Sequence, residues 1–152
     1  MTLRISRANL GAWVIKANPA ARDPQRFAAE HASVADRCVA ANYRSALIQA
    51  GDPVVLWVSG PERDPLQPGV WGVGRVVAPV ARARASGSDG PASGTPKVTL
   101  DVPLLEAPVP RALLRATAAL AGCEVLRQPQ MGNPGWLDGA EWAALQELLA
   151  SR

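Results

Sequence analysis

Histidine and cysteine are scarce in this 152-residue chain, which contains only His31, Cys38 and Cys123. A zinc site needs about four closely spaced ligands, and a disulfide framework needs several cysteine pairs, so neither is expected. The two cysteines read instead as buried, reduced thiols. With its one histidine in an Ala/Glu-rich stretch near the N-terminus, a serine or cysteine triad would lack its usual base. No GxxxxGK[ST] loop occurs, GVGRVV at 72–77 does not open a helix, and Ser59-Gly60 is not part of a GxSxG elbow. Carboxylates are scattered, and Asp52, Asp101 and Glu106 read as turn or strand-edge residues. The expectation is a non-enzyme with no cofactor and no metal. No run of eighteen apolar residues exists, which excludes a membrane-spanning helix. The N-terminal stretch has two arginines but no apolar core of a signal peptide, so a cytoplasmic location is expected.

Hydrophobic residues make up 48% of the chain, enough for one folded domain over 1–152. The formal charge is +3, and fourteen of the sixteen basic residues are arginine. That composition permits contact with phosphates, for which the guanidinium fork is well shaped, but the excess is mild.

Along the chain, 11–16 (GAWVIK) reads as a buried strand, ended by the turn Asn18-Pro19. Asp23-Pro24 is a helix start, with the helix running to about Ala32. An extended piece at 34–39 precedes a helix from Tyr43 to Ala50, capped by Asn42 and stopped at Gly51. The stretch 53–59 (PVVLWVS) is a strand with Val55, Trp57 and Ser59 on one face and Val54, Leu56 and Val58 on the other. In the strand 70–80, Trp71, Val73, Arg75 and Val77 are expected to share a face, opposite Gly72 and Gly74. Residues 81–96 form a small, polar, flexible excursion. A strand resumes at Val98, with Val98, Leu100, Val102 and Leu104 alternating with polar positions. Pro110 opens a helical stretch stopped by Gly122, and 124–128 reads as a strand-like piece leading into a loop at 129–137. Asp138 and Glu141 form a capping box for a last helix, on which Trp142, Leu145, Leu148 and Leu149 make the buried stripe. Strands and helices interleaved with hairpin returns predict an α+β fold, a small mixed β-barrel flanked by short helices.

Four ordered segments resemble the EVE domain, a PUA-like relative of the YTH readers, in the version found beside restriction-type nucleases. They are 13–19 (WVIKANP), 41–60 (ANYRSALIQAGDPVVLWVSG), 69–77 (GVWGVGRVV) and 126–142 (LRQPQMGNPGWLDGAEW). The resemblance implies a PUA-like barrel holding a pocket for one extruded, modified base. The expected partner is DNA carrying modified cytosine or RNA carrying a modified nucleotide, with a nuclease as a possible companion. Such a reader stacks the base on aromatic faces and hydrogen-bonds its edge. The candidate ligand-binding residues are Trp13, Lys16, Asn18, Asn42, Tyr43, Trp57, Ser59, Trp71, Gln128, Asn133 and Trp136. Each tryptophan could equally be core; Trp136, in a Gly/Pro-rich stretch, has the least reason to be buried, whereas Trp142 reads as a helix anchor. Lys16, Arg44, Arg75 and Arg127 are candidates for phosphate contacts. The alternative is a PUA-like sensor of a free small molecule or nucleotide, which the modest net charge favours. An RNA-modifying enzyme on a related fold is disfavoured by the missing catalytic constellation.

Overall fold

The computed structural model describes residues 5–17, 33–38, 43–59, 68–82, 96–128, 132 and 134–151. The helix expected at 24–32 and the interior of the 81–96 excursion lie outside these residues. Six strands, β1 (Leu10–Ala17), β2 (Ser33–Cys38), β3 (Pro53–Val58), β4 (Gly69–Arg82), β5 (Pro96–Pro110) and β6 (Gly135–Asp138), form one sheet in the order β2-β5-β4-β3-β1-β6. Among the described residues four helices accompany them: α1 (Tyr43–Leu47), α2 (Arg111–Ala116), α3 (Glu124–Arg127) and α4 (Gly139–Ala150). The sheet is mixed as expected, since β1 runs parallel to β3 while every other pair is antiparallel.

The closed barrel is not formed. Among the described residues, β2 and β6 each pair with one neighbour only and do not meet. Closure requires edge strands long enough to zip together at a fixed stagger. Here the two end strands have six and four residues, against fourteen and fifteen in the central β4–β5 ribbon.

The sheet instead separates two apolar clusters. On one face lie Trp13, Ile15, Val54, Leu56, Val58, Trp71, Val76, Leu100 and Trp136, packed with Ile5 and Ile48. On the other lie Val14, Val55, Trp57, Val70, Val109 and Leu137, covered by Leu114, Leu120, Val125 and Leu145 from the helical segments. The predicted alternation of β3 is therefore correct. Burying a large aliphatic or aromatic side chain contributes roughly 1.5–3 kcal/mol, so these two layers carry most of the stability.

The face predicted for β4 is not. Trp71 joins Val76 on the first face while Val73 packs on the second, because the ladder slips at Trp71. The register passes from Trp57↔Val70 directly to Leu56↔Gly72, leaving Trp71 as the extra residue of a bulge. On the other side of β4, Trp71 alone stands against residues 105–108 of β5, between Gly72↔Leu104 and Val70↔Val109. Pro108 falls in that broken part of the ladder, where a missing N–H costs no hydrogen bond. Gly72 and Gly74 serve close packing of strands. A Cβ on Gly72 would lie 2.9 Å from the Pro103 carbonyl oxygen, and one on Gly74 would lie 2.6 Å from Val102 Cα. The space beside both glycines is filled by β5.

Two elements near the C-terminus differ from the sequence reading. Residues 124–127 are helix α3 rather than a strand piece, and 135–137, expected in a loop, belong to the edge strand β6. The capping box is present: Glu141 N donates to Asp138 Oδ1 (2.8 Å), and Asp138 N donates to Glu141 Oε1 (2.9 Å). Leu145 is buried below it, with Trp142, Leu148 and Leu149 packed against the same cluster. No described helix is long and apolar enough to cross a membrane.

Candidate functional site

Four segments converge where β1 ends and β6 begins. Val14 pairs with Gly135 and Trp13 with Trp136, so β1 runs three residues past the start of β6, through Lys16 to Ala17. Lys16 is also the register partner of Trp57 on β3. Over this corner sits a buried ion pair. Arg44, the second residue of α1, donates from Nη1 to Glu124 Oε1 (2.7 Å) and from Nη2 to Glu124 Oε2 (2.8 Å). Glu124 opens α3. Arg44 Nη1 also donates to the Pro134 carbonyl oxygen (3.1 Å), just before β6. The carboxylate lies against the sheet itself, since a Cβ on Gly135 would be 3.5 Å from Glu124 Oε1.

The pair explains the electrostatics around it. The hydrogen bonds to Glu124 hold the Arg44 guanidinium above its ordinary pKa. Burial pushes Lys16 below the ordinary lysine range, and the charge of Glu124 partly restores it. Lys16 is thus a half-buried cation facing a carboxylate already engaged with an arginine.

A second buried carboxylate lies toward the start of β3. Asp52 accepts from Arg7 Nη1 on Oδ2 (2.7 Å) and from Arg7 Nη2 on Oδ1 (2.8 Å). It also accepts from Trp13 Nε1 (2.9 Å) and from the Gln49 amide (2.9 Å). Burial alone would raise its pKa, but the Arg7, Gln49 and Trp13 donors outweigh that and leave it below the usual carboxylate value. Asp52 is more than the turn residue the sequence suggested, because it fixes the orientation of a core indole.

The candidate ligand-binding residues divide as follows. Trp13, Trp71 and Trp136 are gathered on one face of the sheet, at 1%, 7% and 8% exposure, so none offers an open stacking surface. Trp57 is buried on the opposite face, with the sheet between it and the other three. Trp136 is not a loop residue but the second residue of β6, opposite Trp13. Tyr43 is exposed at the start of α1, next to Arg44, and its hydroxyl accepts from the Ile5 amide (3.3 Å). Ser59 is half-buried just beyond β3. Gln128 is exposed and follows α3 directly, its amide donating to the Glu124 carbonyl oxygen (2.7 Å). Asn18, Asn42 and Asn133 lie outside the described residues. Of the proposed phosphate contacts, Arg44 is turned inward to Glu124. Arg127 is exposed and donates from Nε to the Gly122 carbonyl oxygen (2.6 Å), and Arg75 is exposed and faces Asp101 across the β4–β5 ladder.

The sequence reading missed Glu124 altogether. Its signal was faint: an acid placed as the first residue of a one-turn helix, recognisable only once 124–127 is read as helix rather than strand.

No family model and no curated protein matches this sequence. Solved structures do match over nearly the whole chain. A hypothetical protein from Leishmania major superposes with a TM-score of 0.67 at 14% identity, covering 96% of this chain and 98% of that one. The DUF55 domain of human thymocyte nuclear protein 1 gives a TM-score of 0.58 at 14% identity, covering 90% and 97%. The chain therefore shares its fold with that DUF55 domain. A further similar structure is human THYN1 protein in complex with 5-methylcytosine-containing DNA, with a TM-score of 0.52 at 14% identity, covering 90% of this chain and 96% of that one.

Proposed function

We propose that this chain is a non-catalytic module that recognises a modified base in a nucleic acid, with modified cytosine in DNA as the leading substrate class. The observation that carries this reading is the shared full-length architecture with a protein crystallised on 5-methylcytosine-containing DNA. The local chemistry supports it. The paired Trp13 and Trp136 give one face of the β1–β6 seam an aromatic surface, while Lys16, beyond the seam on β1, alternates to the other face as a cation. A base drawn from its stack needs an apolar surface and a few directed hydrogen bonds, and stacking on an aromatic supplies roughly 1–3 kcal/mol. Because Trp71 and Trp136 are nearly covered, stacking on either requires the side chains packed against it to move on binding. Membership of the restriction-associated subgroup, and action beside a nuclease, rest on the sequence resemblance alone.

The test is fluorescence anisotropy with short oligonucleotides carrying cytosine or 5-methylcytosine, single- and double-stranded, at two salt concentrations. Tighter binding to the methylated strand, weakening with salt as phosphate-bound counterions are recaptured, is the expected result. Equal, weak binding to both oligonucleotides together with salt-independent binding of a free nucleoside would replace this reading with that of a small-molecule sensor.

A further inference from the structure

Neither α1 nor α3 needs the Arg44–Glu124 pair in order to dock. Leu47 and Ile48, at the end of α1, are packed in the first cluster, and Val125 and Leu126 of α3 in the second. Buried ion pairs are in general poor stabilisers, because removing two charges from water consumes most of their attraction. What this pair does supply is geometry. Its two parallel N–H···O bonds lock a planar fork onto a planar carboxylate, fixing orientation as well as distance. The pair joins residues eighty positions apart, and the third bond, to Pro134, extends it to a segment ninety positions from Arg44. Two of the three segments it ties carry a candidate ligand residue one or two positions away: Tyr43 before Arg44, and Trp136 two residues after Pro134. Gln128 lies just beyond the α3 turn that Glu124 begins, while Lys16 faces the carboxylate from β1. The bidentate contact engages both carboxylate oxygens and both terminal guanidinium nitrogens, which suits a residue pair that acts through its neighbours.

We infer that Arg44 and Glu124 are positioning residues whose buried ion pair sets the spacing of the base-recognition corner, so that discrimination between bases depends on it while global stability does not. The selectivity half of this inference rests on the modified-base reading above; the geometric half stands apart from it. The experiment uses the whole chain with Arg44→Met and Glu124→Leu combined, an apolar pair of similar volume, and Glu124→Gln as a milder variant that keeps the shape and one acceptor. Thermal melting, anisotropy with methylated and unmethylated oligonucleotides, and amide hydrogen exchange are measured on each. The expected result for the double variant is a melting temperature within a few degrees of the parent and at least a tenfold loss of preference for 5-methylcytosine. Affinity for the unmodified strand should stay within about twofold. Amides of Gly135 and Trp136 should exchange at least tenfold faster, with Val54 unchanged. Glu124→Gln should fall between the two proteins in base preference and exchange, and should melt below both because Arg44 keeps a buried charge without its counterion. An unchanged preference with unchanged exchange in both variants would overturn the inference, as would a collapse of melting temperature in both. If the parent protein shows no preference for any base, the modified-base reading falls, and exchange at Gly135 and Trp136 alone decides whether the pair positions the corner.

Discussion

Two buried carboxylates, Asp52 and Glu124, meet arginines in the same bidentate fashion, yet they do different work. Asp52 gathers donors from a local neighbourhood: Arg7, Trp13 and Gln49 all lie within forty-five residues of it, and its arginine is 41% exposed. Glu124 gathers segments that are distant in sequence, and its arginine is buried with it. The first network orients a core tryptophan and closes the turn before β3, so it belongs to the fold. The second ties down a corner of the molecule that the flanking cores do not specify. A buried polar contact is informative about function when the elements it joins are already held by other means.

Single substitutions should separate the two networks most sharply. Arg44→Met alone leaves the Glu124 carboxylate buried and uncompensated, and is expected to cost about 3–5 kcal/mol in urea denaturation. Most of that loss should be recovered when Glu124→Leu is added. Asp52→Asn should cost less, about 2–3 kcal/mol, because the stranded Arg7 can turn to water. The sign of its pH dependence follows from the lowered pKa of Asp52. Its stabilisation is fully present above the unfolded carboxylate value near 4 and is lost as pH falls through the lower folded value. The gap between parent and Asp52→Asn should therefore be flat above about pH 5 and close below pH 4 in pH-resolved denaturation. Trp13→Phe deletes one of several donors to Asp52 and leaves a small cavity where the indole's second ring packed, so a cost of about 2 kcal/mol is expected. The smallest effect concerns Lys16: in Glu124→Gln its ammonium loses the restoring charge, and its pKa should move further down in an NMR titration. A cost for Asp52→Asn that vanishes once Arg7→Ala is present would reduce the Asp52 network to a single pair and dissolve the contrast with Arg44–Glu124.

Cys123 provides a control outside both networks. Burial pushes its thiol up to about 11, so site-resolved alkylation at neutral pH should leave it unmodified until the protein unfolds.

The parts of this fold readable from sequence were those written in local periodicity. β3 alternates without interruption, and the predicted faces hold residue for residue; the Asp138–Glu141 box is a fixed-offset signal and appears as expected. β4 defeated the same logic because one bulge at Trp71 shifts every side chain before it relative to those after it, and no local signal marks a bulge. β6 and α3 defeated it because four-residue elements carry too little pattern to tell strand from turn. For the candidate site, the sequence named Tyr43, Gln128 and Lys16 but not the contact that ties the segments around them. The partners of Arg44 lie eighty and ninety residues away, and a solvated arginine and a paired one look identical in sequence.

The position of β1 in the sheet also constrains how the chain acquires its structure. β1 lies between β3 and β6, so one of its edges stays unpaired until residues 135–138 have been synthesised and have returned to it. Its other edge needs the parallel partner β3, forty residues on, a non-local pairing that is slow to form. An aggregation-prone apolar strand is therefore made early and covered last, and any truncation that removes β6 should yield a protein that associates through β1 rather than one that merely lacks its C-terminal helix.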